Sequence, residues 1–194
     1  MSAGFALGFA ALWLFDGSGA ISAMIPAVAA HELGHATVLM AVGTGVSEIR
    51  LEASGLRMDY TYPPGQAGEA FAAVAGPAAG ILYSVLCSVL GKMLENEFLL
   101  CSAGISLVLS FFNLLPAGAL DGGRLLRIFL DRIWSSVEVE RIMLALDIVV
   151  SAAFIVVGVW HWAHAFGAAL IPAGIWIMAH SLSEYCKNRG YGIR

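Results

Sequence analysis

The chain has 194 residues and a net charge of −4; 59% of its residues are hydrophobic and only 12% are charged, against about 25% charged in ordinary soluble domains. Its mean hydropathy of +0.82 argues against a conventional soluble core, and the acidic balance argues against a nucleic-acid partner. Several apolar runs approach the roughly 20 residues that cross a bilayer, so an all-α integral membrane protein is expected.

Residues 3–15 form a first apolar segment, short and broken by "DGSG" (16–19). It has no basic n-region and no small-residue cleavage site, so it reads as a retained membrane helix rather than a signal peptide. It crosses only if the bilayer thins or the helix extends into its flanks. Segment two, 20–43, is long enough to span and contains "AAHELGHAT" (29–37); Pro26 is expected to kink it one turn ahead of His31. In residues 46–62, "VSEIRLEASGLRMDYTY", apolar and charged residues alternate on both sides of "SG". That pattern predicts a β-hairpin, ended by "YPPG", whose edge is able to pair with an extended peptide.

Segment three, about 66–90, includes "AGPAAG" (75–80), where small residues permit close helix contact. Segment four, about 97–115, runs into "FFNLLPAGALDGGR" (111–124), and a polar helical stretch is expected over 122–138. Segments five (about 140–160) and six (about 166–185) precede the basic tail "KNRGYGIR". The expected architecture is a single membrane domain over 1–194, with about six transmembrane helices, a small membrane-associated β-hairpin and no soluble accessory domain. The three cysteines, Cys87, Cys101 and Cys186, form no CxxC pair and read as isolated reduced thiols.

With six spans, Arg50, Arg57, Arg124, Arg127, Arg132, Arg141, Lys187, Arg189 and Arg194 fall on one side, and Lys92 alone falls on the other. The positive-inside rule then puts both termini, the hairpin and the 116–139 connection in the cytoplasm.

His31 and His35 lie one helical turn apart, so both imidazoles project from one face. HExxH uses this spacing to give zinc two ligands, with the glutamate, here Glu32, beside the metal-bound water. Two histidines and a glutamate inside an apolar span cost several kcal/mol unless partnered, which weighs against a coincidental match. A polar cluster bridging helices is the bland alternative. His31 lies about 11 residues, hence roughly 16 Å, into its segment. A catalytic zinc site takes three protein ligands and one open position. Asp16, Glu69, Asp121, Asp147, His161, His164 and His180 are the remaining candidates. Asp121 follows a cytoplasm-directed helix in a Pro- and Gly-rich turn, and non-helical backbone is tolerated at membrane depth where it lines a wet cavity. Its alternative role is to cap the next helix.

HELGH (31–35) in one span, paired with "NLLPAGALDGG" (113–123) in a later one, resembles the site-2 proteases, zinc intramembrane metalloproteases. The likeness is greatest to the compact bacterial branch that includes a sporulation sigma-factor-processing enzyme, and it covers roughly residues 20–130. The resemblance implies a zinc endopeptidase holding one Zn2+ per chain through His31, His35 and Asp121. It implies Glu32 as catalytic base, and Asn113 as a substrate-positioning or oxyanion-stabilising residue; a helix–helix hydrogen bond is the plainer role for Asn113. It further implies a bacterial cell-membrane location, a hairpin that pairs with an unwound substrate strand, and a membrane-protein substrate such as a sigma-factor precursor or an anti-sigma factor. Oligomeric state is not implied. Gly80 and Ala119 depart from the family, where asparagine and proline are frequent.

Outside these motifs, "HWAH" (161–164) reads as an interfacial pattern, and His180 and Glu184 read as a local pair or a gate. Asp147 is an intramembrane acid with Arg141 or an interior water as simple partners. Glu69 complements a helix N-terminus. A transporter or other metal-binding membrane protein that does not hydrolyse is the alternative to a protease.

Overall fold

The structure is a computed structural model that describes residues 19–44, 46–52, 55–60, 65–162 and 165–191. Segment 3–15, Asp16 and His164 lie outside these residues. Contacts divide the chain into two compact units, residues 1–113 and 114–194.

In the first unit Gly19, in the left-handed region with φ 72°, opens α1 (Ala20–Ala41), which carries Pro26 internally. Strands β1 (Val46–Glu52) and β2 (Gly55–Tyr60) pair antiparallel, with Ile49 opposite Met58, Leu51 opposite Leu56 and an irregularity between Val46 and Glu48. Two further helices follow, α2 (Gln66–Met93) and α3 (Glu97–Asn113). The three helices described in this unit touch one another.

A row of serines joins them. Ser102, Ser106 and Ser110 recur every four residues and so share one face of α3; all three are fully buried. Ser102 Oγ donates to the Ala23 carbonyl of α1 at 2.8 Å, and Ser106 Oγ donates to the Gly80 carbonyl of α2 at 2.8 Å. Ser84 Oγ returns a bond from α2 to the Ala103 carbonyl at 2.7 Å. The Ala23 carbonyl lies one turn ahead of Pro26, which has no N–H to give to the helix. Hydroxyls from neighbouring helices commonly support backbone beside such a proline.

The second unit holds α4 (Asp121–Leu130), α5 (Ser136–Trp160) and α6 (Ala165–Tyr191). The expected helix over 122–138 is two helices: α4 stops at Leu130, and α5 starts afresh because Ser135 is built as its N-cap. The Glu138 carboxylate accepts from the Ser135 N–H at 3.0 Å and from its hydroxyl at 2.8 Å, as in a capping box. Leu130, Val139 and Met143 form a buried cluster, and Ser151 Oγ ties α5 to the Gly174 carbonyl of α6 at 2.6 Å.

Among the described residues, α2 and α5 are long and apolar enough to cross a membrane, yet only 33% and 22% of their most apolar stretches are buried. A soluble core helix would be mostly enclosed. Here Phe71, Leu82 and Leu86 of α2, and Val149, Val156 and Trp160 of α5, are exposed, as suits hydrocarbon rather than water. Ser102→Ala removes the hydroxyl without adding bulk, and so deletes the bond to Ala23 and the 2.9 Å contact with the Tyr83 hydroxyl. Equilibrium unfolding in detergent should show a loss of about 0.6 kcal/mol, and at most about 1.7 kcal/mol, the range of interhelical bonds in membranes.

Candidate metal centre

The two histidines of HELGH meet on α1. His31 Nε2 and His35 Nε2 stand 3.1 Å apart, with ring centroids at 4.8 Å and ring planes at 79°. His31 is buried; His35 and Glu32 are half-buried. His35 Nδ1–H donates to the Ala72 carbonyl of α2 at 2.8 Å, which fixes the tautomer and leaves the Nε2 lone pair facing His31. Two imidazole nitrogens bound to one tetrahedral zinc, each about 2.0–2.1 Å from it, are about 3.3 Å apart. The observed separation therefore fits two corners of one coordination sphere.

Helix α2 makes room for this arrangement. Gly76 lies one turn past Ala72, and a Cβ at position 76 would fall on the His35 imidazole. The run "AGPAAG", read from sequence as a helix-contact stripe, thus also seats a histidine. Nothing in its composition distinguishes Gly76 from its neighbours; only the pairing of α1 with α2 does.

In the second unit Asp121 is the first residue of α4 and is half-buried. The N-cap is Leu120, with φ −115° and ψ 163°, so Asp121 does not occupy the capping position. The preceding segment is a compact turn. Ala117 N donates to the Leu115 carbonyl and Leu120 N to the Ala117 carbonyl, both at 2.8 Å. The turn folds back over the first turn of α4, so that a Cβ at Gly122 or Gly123 would overlap the carbonyls of Leu114, Leu115 or Ala117. Buried Asp147 of α5 accepts the Gly118 N–H on Oδ1 at 2.7 Å. Sequence reasoning offered Arg141 or an interior water as its partner; the turn's backbone is the partner found.

Asn113 closes α3, half-buried, with Nδ2 donating to the Leu109 carbonyl of its own helix at 3.0 Å. His161 is the C-cap of α5, and its Nδ1 donates to the Val157 carbonyl at 3.2 Å. His180 lies beside Trp176 and lines, with Glu184, Asp147, Arg127 and Glu140, a cavity of about 280 Å³. Glu69 stands in the first turn of α2. Gly80, where the family frequently has asparagine, lies against Ser110 and Ser106, which leaves no space there for a larger side chain without movement of those serines.

Two family models match the chain. One, described as peptidase M50B-like, covers residues 4–117, and one described as peptidase family M50 covers residues 94–157. The chain belongs to the site-2 protease (M50) family. It is 34% identical over 132 residues to the putative zinc metalloprotease Rip3 of Mycobacterium tuberculosis, covering 62% of this chain and 33% of that one. It is 33% identical over 117 residues to the putative zinc metalloprotease sll0528 of Synechocystis sp. (56% and 31%), and 30% identical over 111 residues to the zinc metalloprotease MJ0392 of Methanocaldococcus jannaschii (54% and 32%). The aligned part thus spans about a third of the length of these curated relatives. The solved site-2 protease from Methanocaldococcus jannaschii shares the fold, with a TM-score of 0.71 at 21% identity over 93% of this chain and 85% of that one. Family and apolar helices together point to an integral membrane protein.

The seat for His35 yields a direct test. Gly76→Val should displace the imidazole and expose it. Diethyl pyrocarbonate should then modify His35 at least about threefold faster by peptide mass spectrometry, with helicity unchanged. Unchanged labelling would show that α2 does not set the ring's position.

Proposed function

We propose that this site-2 protease family member is a zinc-dependent intramembrane endopeptidase, in which His31, His35 and Asp121 hold one Zn2+ and Glu32 is the catalytic base. The observation that carries the reading is the His31–His35 pair: two Nε2 atoms at 3.1 Å, one of them held lone pair outward by the Ala72 carbonyl. Two imidazoles and a carboxylate are donor types that catalytic zinc sites use, and Asp121 is the carboxylate assigned here. Three protein donors would leave room on a bound zinc for water or substrate. The names of the aligned relatives, each of which includes the words zinc metalloprotease, support the choice of metal.

Zinc, when bound, lowers the pKa of a coordinated water to about 7 and polarises a carbonyl. The chain's own residues supply the rest. Glu32 adjoins His31 in sequence and is offset from it by about 100° around the helix. With the metal bound, its carboxylate would take a proton from water and would deliver it to the leaving amide nitrogen. Asn113, through its amide, positions substrate or steadies the developing oxyanion. Strands β1 and β2 offer an edge for a substrate segment that has left its helical state, which is required because a helix encloses its own peptide bonds.

The substrate is a membrane-embedded or membrane-associated protein cut near the cytoplasmic leaflet, with a sigma-factor precursor or an anti-sigma factor as candidates. The apolar segments support about six spans, the family resemblance supports a bacterial cell membrane, and, given six spans, the distribution of basic residues puts both termini and the hairpin in the cytoplasm. Both compact units belong to the one protease domain.

Zinc content and cleavage of a labelled single-span test protein decide the matter. Wild type should hold about one zinc per chain, and Asp121→Ala should lose most of it. Glu32→Gln should keep the metal and lose at least about 100-fold in cleavage, the scale of general-base catalysis. Zinc retained in Asp121→Ala removes that ligand assignment. Zinc-loaded wild type without any cleavage would favour a transporter or a metal-binding protein that does not hydrolyse.

A further inference from the structure

Asp147 has no part in the zinc-binding set or in proton transfer, yet it is the acid most deeply enclosed among the described carboxylates, only 5% exposed, within the more apolar of the two described helices long enough to cross a membrane. An acid at such a place is costly to keep unless it is engaged. It is engaged with backbone. Oδ1 accepts the Gly118 N–H at 2.7 Å, and Oδ2 lies beside the same residue, 3.3 Å from where a Cβ at 118 would stand. The cavity of about 280 Å³ that Asp147 shares with Arg127, Glu140, His180 and Glu184 gives the carboxylate a polar surrounding within the apolar helix.

Gly118 is the apex of the turn that delivers Asp121. On one flank the turn is closed by Leu120 N to the Ala117 carbonyl; on the other, its Leu114–Ala117 backbone rests on Gly122 and Gly123. Those contacts shape the turn internally. Asp147, 26 residues further along the chain than Asp121, ties its apex to a long helix by a hydrogen bond. We propose that Asp147 is a positioning residue: it pins the 114–120 turn to α5 and thereby sets where Asp121 is presented to the metal. The proposal rests on the reading of Asp121 as a zinc ligand. Outer groups that orient metal ligands are worth about 10- to 100-fold in metal affinity, and a backbone anchor three residues from the ligand acts by the same route.

The full chain in detergent is compared as wild type, Asp147→Asn and Asp147→Ala. Hydrogen exchange is read on peptides covering 114–121, and zinc affinity by competition with a chelator. Asparagine keeps an acceptor for the Gly118 N–H, and alanine does not. In Asp147→Ala, exchange at Gly118 should rise at least about tenfold and the zinc Kd should rise about tenfold. Asp147→Asn should stay within about threefold of wild type in both. A merely structural role would raise exchange throughout the second unit and would not be rescued by asparagine. Asp147→Leu, which fills the space with apolar atoms, replaces the alanine variant if that one does not fold, with the same two readings. Unchanged exchange at Gly118, or faster exchange with unchanged zinc affinity, overturns the positioning role alone. A wild-type chain that binds no zinc overturns the metal-site reading and the positioning role together, whatever the exchange pattern.

Discussion

A polar group enclosed among apolar helices must find its hydrogen bond inside the protein, because hydrocarbon offers none. That constraint accounts for most of the architecture around the motifs. A single such bond contributes only about 1 kcal/mol, whereas a buried donor or acceptor left alone costs about 1–3 kcal/mol. Interior polar groups therefore specify geometry more than they add stability. Ser102 and Ser106 aim at carbonyls of α1 and α2, His35 at Ala72, and Asp147 at Gly118. Each bond removes a freedom of rotation or register that apolar contact alone would leave open.

The proposed metal chemistry needs that restriction. A metal ligand displaced by an ångström loses much of its value, and ligands are kept in place by their supporting shell. The support takes two forms in this chain. His31 and His35 gain order from helical spacing, with α2 closing against the His35 ring. Asp121 stands at the start of a short helix after an irregular turn, and its order derives from carbonyl–glycine contacts and from a carboxylate on another helix. A regular element needs one external contact where an irregular one needs several.

The same contrast explains what was legible in the sequence. HELGH announces itself because its meaning is local: i and i+4 share a face whatever surrounds them. The Asp121 turn was visible from its proline and glycines, though which residue caps α4 was not: the cap falls at Leu120 and not at Asp121. Helix α5 begins earlier than its hydropathy suggests because a capping box of Ser135 and Glu138, both polar, sets its start. The serine row of α3, the seat at Gly76 and the partner of Asp147 are relations between segments 20 or more residues apart, and residue type alone does not encode them. Segment 3–15 lies outside the described residues.

The crossing of Leu114–Ala117 over Gly122 and Gly123 also bears on how such a site changes over time. The atoms that would obstruct a side chain there are main-chain carbonyls, which every amino acid carries, so no second substitution elsewhere restores the space. Drift along this stretch has no compensated path. At Gly80 the obstruction is the side chain of Ser110, and a smaller residue at 110 would open the position to a larger one. Diversification is open where side chain meets side chain, between α2 and α3, and closed where the backbone meets itself beside Asp121.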